Sequence, residues 1–201
     1  GALISMAGSI SLNNAVDQFG LTGPADVLTK ANELFLDFMN SNQGNISHDG
    51  MDICLCLIES NSNLIRFAGA KRPLYLITQR NNFNPVSGVN NYTAIGLQEM
   101  TLYEMKGSNS SIGGDDLNFH VEEQVFKYSK GDTIYLSSDG YVDQFGGEFD
   151  RKFKSKKLKN ILLSNQDKSM SQQKEILVRE FDNWKGSKEQ IDDITIMGIK
   201  L

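Results

Sequence analysis

Thr133-Ile134-Tyr135-Leu136-Ser137-Ser138-Asp139-Gly140 is the stretch on which the reading of this chain turns. Its first six side chains alternate as a β-strand requires, because successive residues of an extended chain face opposite sides of a sheet. The strand runs directly into Asp139-Gly140. Glycine lets the backbone turn sharply there and leaves room beside the carboxylate. Asp143 follows four residues after Asp139. If a helical turn starts at this point, both carboxylates face one side. A turn aspartate followed by a helix-capping aspartate has the same spelling, so the segment alone leaves both readings open.

Working outward, residues 123–128 read as a strand joined to 133–138 through the Lys130-Gly131-Asp132 turn, making a hairpin. Residues 51–58 are apolar on both faces apart from Asp52, as expected of a central strand covered on both sides. Ser60-Asn61-Ser62-Asn63 is a turn, 64–68 returns, and 73–78 continues an antiparallel meander. Residues 79–100 are polar and irregular, 101–105 form a short strand, and 106–117 are a Gly/Ser/Asn-rich loop. Residues 2–19 have a loose helical pattern. A clearer helix starts at Pro24, with Val27, Leu28, Ala31, Leu34, Phe35, Phe38 and Met39 at helical spacing, and the polar stretch 40–45 ends it. Two further helices are expected over about 152–164 and about 170–184. Ile176, Leu177, Phe181 and Trp184 stripe the second, Gly186 closes it, and 194–201 is a last strand. Helices, then strands, then helices, then one strand indicate an α+β layered domain spanning 1–201 rather than an alternating parallel fold.

Bulk properties exclude several classes. With 201 residues, 39% hydrophobic and 22% charged, the chain has the composition of a globular protein with a sizeable core. A net charge of −5 and a pI near 5.1 argue against general nucleic-acid or anionic-membrane binding. No apolar run approaches about 20 residues, so no membrane-spanning helix is expected. Gly1-Ala2-Leu3-Ile4-Ser5-Met6 lacks the basic region of a signal peptide. Cys54 and Cys56 alternate along one strand, poorly placed to pair, and read as small core thiols; without a disulfide framework a cytoplasmic location is expected. Arg151, Lys152, Lys154, Lys156, Lys157 and Lys159 read as a solvated helix face, or alternatively as a docking surface for an acidic partner. His48 and His120 sit in polar segments without ligand spacing.

The chemistry gathers in carboxylates. Asp192-Asp193 precedes the last strand, and adjacent carboxylates repel unless they are solvated or share a cation. A strand ending at Asp139 and one beginning after Asp193 can be sheet neighbours, with their acidic tips converging. A carboxylate set without His or Cys favours Mg²⁺ or Mn²⁺ over zinc. Thiol-phosphatase chemistry is not indicated. The residues six positions after Cys54 and Cys56 are Ser60 and Ser62, where a Cys-x5-Arg loop needs arginine.

Five collinear segments carry a resemblance. They are Gly1-Ala2-Leu3-Ile4-Ser5-Met6-Ala7-Gly8, Asp49-Gly50-Met51-Asp52-Ile53, Phe67-Ala68-Gly69-Ala70-Lys71-Arg72-Pro73-Leu74-Tyr75, Lys130 through Gly140, and Asp192-Asp193-Ile194-Thr195. In this order they resemble the metal-dependent protein serine/threonine phosphatases (PPM family), in particular the bacterial SpoIIE-type branch. The resemblance implies two antiparallel β-sheets sandwiched between helices, and a two-metal centre of Mg²⁺ or Mn²⁺ where an activated water attacks phosphorus. It implies that Asp139 and Asp192 are metal ligands, that Asp193 takes the second place in the terminal motif, and that Gly140 and Asp143 are accessory. The implied substrate is a phosphorylated regulatory protein of the anti-sigma-factor-antagonist type. Uncatalysed phosphate-monoester hydrolysis is among the slowest reactions enzymes accelerate, which is why metal assistance suits it.

The chain departs from the family in one respect. Family members place an Asp-x-Thr-Gly-His-Gly segment, whose Asp bridges the metals, just before the stretch matching Gly1-Ala2-Leu3. That segment and the strands before it are missing here. The expectation is therefore an incomplete N-terminus, weak binding of divalent ions, little or no turnover by the 201-residue chain, and an open sheet edge able to pair with a second copy. The competing expectation is a non-catalytic module of the same fold that docks a phosphoprotein or a regulator.

Overall fold

The computed structural model describes residues 2–42, 50–114 and 119–201. His48 and parts of the expected 40–45 and 106–117 segments lie outside them. In chain order the elements are α1 (Ala2–Asp17), α2 (Pro24–Asn42), β1 (Ile53–Glu59), β2 (Leu64–Ala70), β3 (Leu74–Gln79), β4 (Asn84–Ser87), β5 (Tyr92–Leu97), β6 (Met100–Met105), β7 (Gln124–Lys127) and β8 (Thr133–Ser137), followed by α3 (Gly140–Asp143), β9 (Phe145–Gly146), β10 (Arg151–Lys152), α4 (Ser155–Ser164), α5 (Met170–Lys185) and β11 (Ile196–Lys200). Among the described residues the strands form sheets in the orders β1-β2-β7-β4 and β11-β8-β3-β6-β5, with β9 and β10 pairing separately. Helices and antiparallel pairs segregated along the chain make this the α+β fold that the element order implied.

The chain folds as two compact units. The first carries α1, α2 and the β1-β2-β7-β4 sheet. Proline at the first position of α2 spends no N–H that the helix would need, and Val27 N donates to Gly23 O at 2.9 Å to open the ladder. The apolar stripe of α2 then buries Leu28, Ala31, Phe35 and Met39 against Ala7 of α1 and Ala68 and Ala70 of β2. Phe35 is 1% exposed. We expect Phe35→Ala to cost about 3–5 kcal/mol, from lost transfer energy plus the cavity left behind, measured by urea unfolding.

Strand β1 is not the central strand its composition suggested. Among the described residues β2 is the one strand it pairs with, from Ile53↔Ala70 to Glu59↔Leu64, and all seven of its residues are half-buried. Ile53 and Leu55 pack on the α1/α2 cluster, and among the described residues no strand lies on the other side of β1, so an apolar sequence on both faces does not imply neighbours on both sides. Nor does β3 extend the β1-β2 pair; it enters the other sheet. Lys71 turns the chain at φ 60°, and Pro73, lacking an N–H, cannot serve a ladder there.

The second unit carries the β11-β8-β3-β6-β5 sheet with α3, α4 and α5. The expected hairpin between 123–128 and 133–138 is absent: β7 pairs with β2 and β4, whereas β8 pairs with β11 in register Ile196↔Ser137 to Lys200↔Thr133. The reason lies in the turn. Asp132 N donates to Ser129 O at 3.0 Å, and the turn's outer groups are taken by the chain end, Gly131 N to Leu201 O at 2.7 Å and Leu201 N to Asp132 O at 2.8 Å. The irregular reading of 79–100 is also corrected, since β4 and β5 lie there. Each is the outermost strand of its sheet and mostly exposed, so neither needs an alternating apolar pattern, and Pro85 is tolerated at such an edge.

Helices α4 and α5 bury Leu158, Leu162, Leu163, Leu177 and Phe181 with Tyr135, Tyr141 and Phe153. Ser169 caps α5 reciprocally with Gln172: Gln172 N donates to Ser169 Oγ at 3.3 Å and Ser169 N to Gln172 Oε1 at 3.1 Å. Ser169→Ala is expected to cost about 1 kcal/mol in thermal unfolding. Gly186, at φ 58°, ends the helix. The basic run is largely engaged within this unit. Lys159 Nζ lies 3.0 Å from Glu104, Lys152 Nζ lies 3.0 Å from Asp143, and Lys157 Nζ sits 3.5 Å above the Trp184 ring. No helix among the described residues is long and apolar enough to cross a membrane.

Candidate functional site

The site forms where β8 ends and the approach to β11 begins. Beyond the last ladder pair, Ser138 continues the join with its own atoms. Ser138 N donates to Thr195 O at 2.9 Å, Thr195 N donates to Ser138 Oγ at 2.9 Å, and that hydroxyl donates to Asp193 O at 3.1 Å. One side chain thus stitches the segment carrying Asp139 to the segment carrying Asp193. Asp139 occupies the N-cap position of α3, but its side chain makes no capping bond; its carbonyl accepts from Asp143 N at 2.9 Å. Asp139 thus stands at the turn before α3, and Asp143, the capping aspartate of the alternative reading, is the last residue of α3 with its carboxylate paired to Lys152.

Gly140 explains how closely the two segments approach. A Cβ built there would lie 3.0 Å from the carbonyl carbon of Asp193 and closer still to its oxygen. Only a residue without a side chain allows the Asp139-Gly140 backbone to rest against Asp193. Asp192 and Asp193 are exposed and Asp139 is half-buried. Asp192 Oδ1 accepts from Asp193 N at 2.7 Å, and Gln190 Nε2 donates to Asp192 O at 2.8 Å.

The backbone therefore brings Asp139, Asp192 and Asp193 to one end of one sheet. Asp143 is used differently: its Oδ2 pairs with Lys152 Nζ at 3.0 Å, on side chains 40% and 47% exposed. The donor chemistry fits a hard divalent cation, being all carboxylate oxygen. Among the described residues, however, no group of three or more His, Cys, Asp and Glu side chains is arranged to hold a metal ion. His120 is exposed.

Two residues with structural roles at this end were not singled out by sequence. Ser138 was read only as the end of a strand. Gln144 carries one signal in the sequence, an uncharged polar residue set between Tyr141-Val142 and Phe145. It is wholly buried.

In the first unit two of the matched segments meet, with Arg72 Nη2 donating to Asp52 Oδ2 at 2.8 Å. Burial pushes the nearby Cys54 thiol up to about 11, with Arg72 pulling partly the other way. Burial, and then Cys54, push Cys56 up to about 12. Neither is a thiolate near neutral pH. An unfolded thiol ionises near pH ~8.5, so the folded state loses stability as pH rises from there through these raised values. Urea unfolding from about pH 8 to about pH 11 should show a steeper loss for the wild type than for the Cys54→Ala/Cys56→Ala double variant.

Comparison with known proteins agrees with this layout. The profile of the family "Stage II sporulation protein E (SpoIIE)" matches residues 1–201. The SiaA PP2C domain of Pseudomonas aeruginosa superposes with a TM-score of 0.77 at 26% identity, over 100% of this chain and 70% of that one. The PP2C phosphatase domain of SpoIIE from Bacillus subtilis, solved with a fragment of its regulatory domain, gives 0.62 at 14% identity over 99% of this chain and 50% of that one. The PPM Ser-Thr phosphatase MsPP from Mycobacterium smegmatis, in complex with cacodylate, gives 0.51 at 12% identity over 98% and 81%. The last two show the fold alone. No curated protein matches the sequence. With its whole length matched and its antiparallel sheets and flanking helices shared with PP2C domains, the chain belongs to the SpoIIE family and has the α+β fold of the PPM phosphatases.

Proposed function

We propose that this chain is the catalytic domain of a Mg²⁺- or Mn²⁺-dependent protein phosphatase that removes phosphate from serine or threonine of a regulatory protein, the anti-sigma-factor-antagonist type being the substrate class, in the cytoplasm. The observation that carries the reading is the stitching of Ser138 to Asp193 and Thr195, which delivers acidic groups from two distant segments to one sheet end. Asp139 and Asp192 would hold the cation, with Asp193 beside them. When bound, a divalent cation would neutralise phosphoryl charge and acidify an attacking water. The chain's own residues do the rest: Ser138 and Gly140 set the spacing of the carboxylate segments, and Lys152 keeps Asp143 engaged outside that set. A protein nucleophile is not needed, in keeping with protonated Cys54 and Cys56.

The described residues gather fewer than three such donors at one point. That the 201-residue chain alone binds divalent ions weakly and turns over slowly is part of the proposal. The second reading is a docking module of the same fold. The test compares the native protein carrying residues 1–201 with the isolated chain, using phosphoserine peptide and Mn²⁺. Metal-dependent phosphate release by the native protein, lost in Asp139→Asn, supports the enzyme. Absence of release with retained binding of the phosphopeptide supports the module. Robust turnover by the isolated chain would refute the weak-site expectation.

A further inference from the structure

We infer that Gln144 is a positioning residue for the acidic segment Asp192-Asp193, an inference that rests on the phosphatase reading of that segment. Gln144 follows α3 directly and is 0% exposed. A buried amide must spend its polar atoms on partners, and this one spends them mainly on the approach to Asp192. Its Nε2 donates to Glu189 O at 2.9 Å and to Phe145 O at 3.0 Å, and its Oε1 accepts from Ile191 N at 3.3 Å. The backbone carbonyl of Gln144 is engaged as well, accepting from Phe153 N at 2.9 Å and from Trp184 Nε1 at 3.1 Å. The residue is therefore anchored on three sides before it reaches the loop.

The geometry makes a two-point mount. Ser138 holds the segment at Asp193 and Thr195, just after the carboxylates, and Gln144 holds it at Glu189 and Ile191, just before them. Asp192 and Asp193 lie between the two fixings. Both fixings come from the stretch that bears Asp139, so the two carboxylate segments are tied to each other at two points. Without Gln144 the main chain at Glu189 and Ile191 loses its side-chain fixings, and the nearest remaining ties before the carboxylates are those of Lys188 to Asp150 and to the end of α5. Groups that orient metal-binding side chains in this way typically change metal affinity by about 10- to 100-fold when removed.

The test uses the native protein with three variants. Gln144→Met removes all three side-chain bonds at similar volume. Gln144→Glu keeps the acceptor and removes both donors. Gln173→Leu is the matched control. Gln173 is also buried, accepting from Tyr135 Oη and donating to Lys168 O at 3.1 Å; it shares a cavity wall with Gln190 and Ile194, but its hydrogen bonds go to Tyr135 and Lys168 rather than to 189–195. The expected result is that the Mn²⁺ concentration for half-maximal binding and hydrolysis rises about 10-fold or more in both Gln144 variants and less than about twofold in Gln173→Leu, at comparable losses of melting temperature. Equal metal dependence in the Gln144 variants and the control overturns the inference. Native-state hydrogen exchange supplies the readout that needs no activity. The Ile191 amide, exposed in position, should be protected in the wild type; exchange at the unprotected rate refutes the clamp even where a variant fails to fold. If wild type and Asp192→Asn bind Mn²⁺ alike, the phosphatase reading of the segment fails, and exchange at Ile191 still decides whether the mount exists.

Discussion

Asp139→Asn and Asp192→Asn should each lower kcat/KM of the native protein by on the order of 10³-fold, equivalent to about 4 kcal/mol of transition-state stabilisation at ~1.36 kcal/mol per tenfold. The substitution keeps shape and most hydrogen-bonding capacity and removes the charge that a hard cation needs. Asp139 makes no capping bond with its side chain, so α3 should survive the change. Asp192 accepts from the neighbouring Asp193 amide, which an asparagine oxygen can still satisfy. Both variants should therefore melt within a few degrees of wild type while losing turnover. Asp143→Asn is the contrast. Its carboxylate pairs with Lys152 near the surface, where such pairs contribute about 0–1 kcal/mol, and a change below about threefold is expected. Initial-rate assays with a phosphoserine peptide at saturating and limiting Mn²⁺ check all three. A substantial residual rate in Asp139→Asn would remove that residue from the site.

Gly140→Ala is expected to damage both stability and activity. The added methyl meets the backbone carbonyl of Asp193, not the end of a flexible side chain, so either the β8–β11 junction or α3 must shift. Overpacking of this kind costs about 1–3 kcal/mol, or roughly 2–12 °C in melting temperature for a chain of this size. The shift separates the segments bearing Asp139 and Asp193, so activity should fall by more than the loss of folded protein accounts for. Circular dichroism melts run beside phosphate-release assays at a temperature where the variant is fully folded separate the two effects. An alanine variant with wild-type stability would mean that the two backbones are not in contact.

The acidic tips were legible because strand-to-turn transitions leave a local trace: alternation, then Asp-Gly. The same holds for α2, with its proline start and apolar stripe, and for α5, with its apolar stripe and Gly186, although the Ser169 cap of α5 was not read. What sequence periodicity reports is which face a residue occupies, not which strand lies alongside it. That is why β1 reads as central although it is outermost among the described residues, and why β7 and β8 read as partners although each bonds elsewhere. The decisive contacts there are backbone bonds from Gly131 and Asp132 to Leu201, which no side-chain pattern announces. Strands β4 and β5 were missed because outer strands need not bury a face. Gln144 was missed because its partners are main-chain atoms about 45 residues away along the chain, distant in sequence and silent in composition.

Strand β11 is hydrogen-bonded on one side only among the described residues, and the acidic pair hangs from its leading end. The ribbon and its approach pack Ile194 and Ile196 on the cluster, against Leu158, Leu162, Leu163, Leu177 and Phe181 from α4 and α5, so β11 is expected to peel from β8 before the helices melt. Mild urea should then silence the molecule while its far-ultraviolet spectrum is still native, and the helices would outlast the chemistry they were built to support.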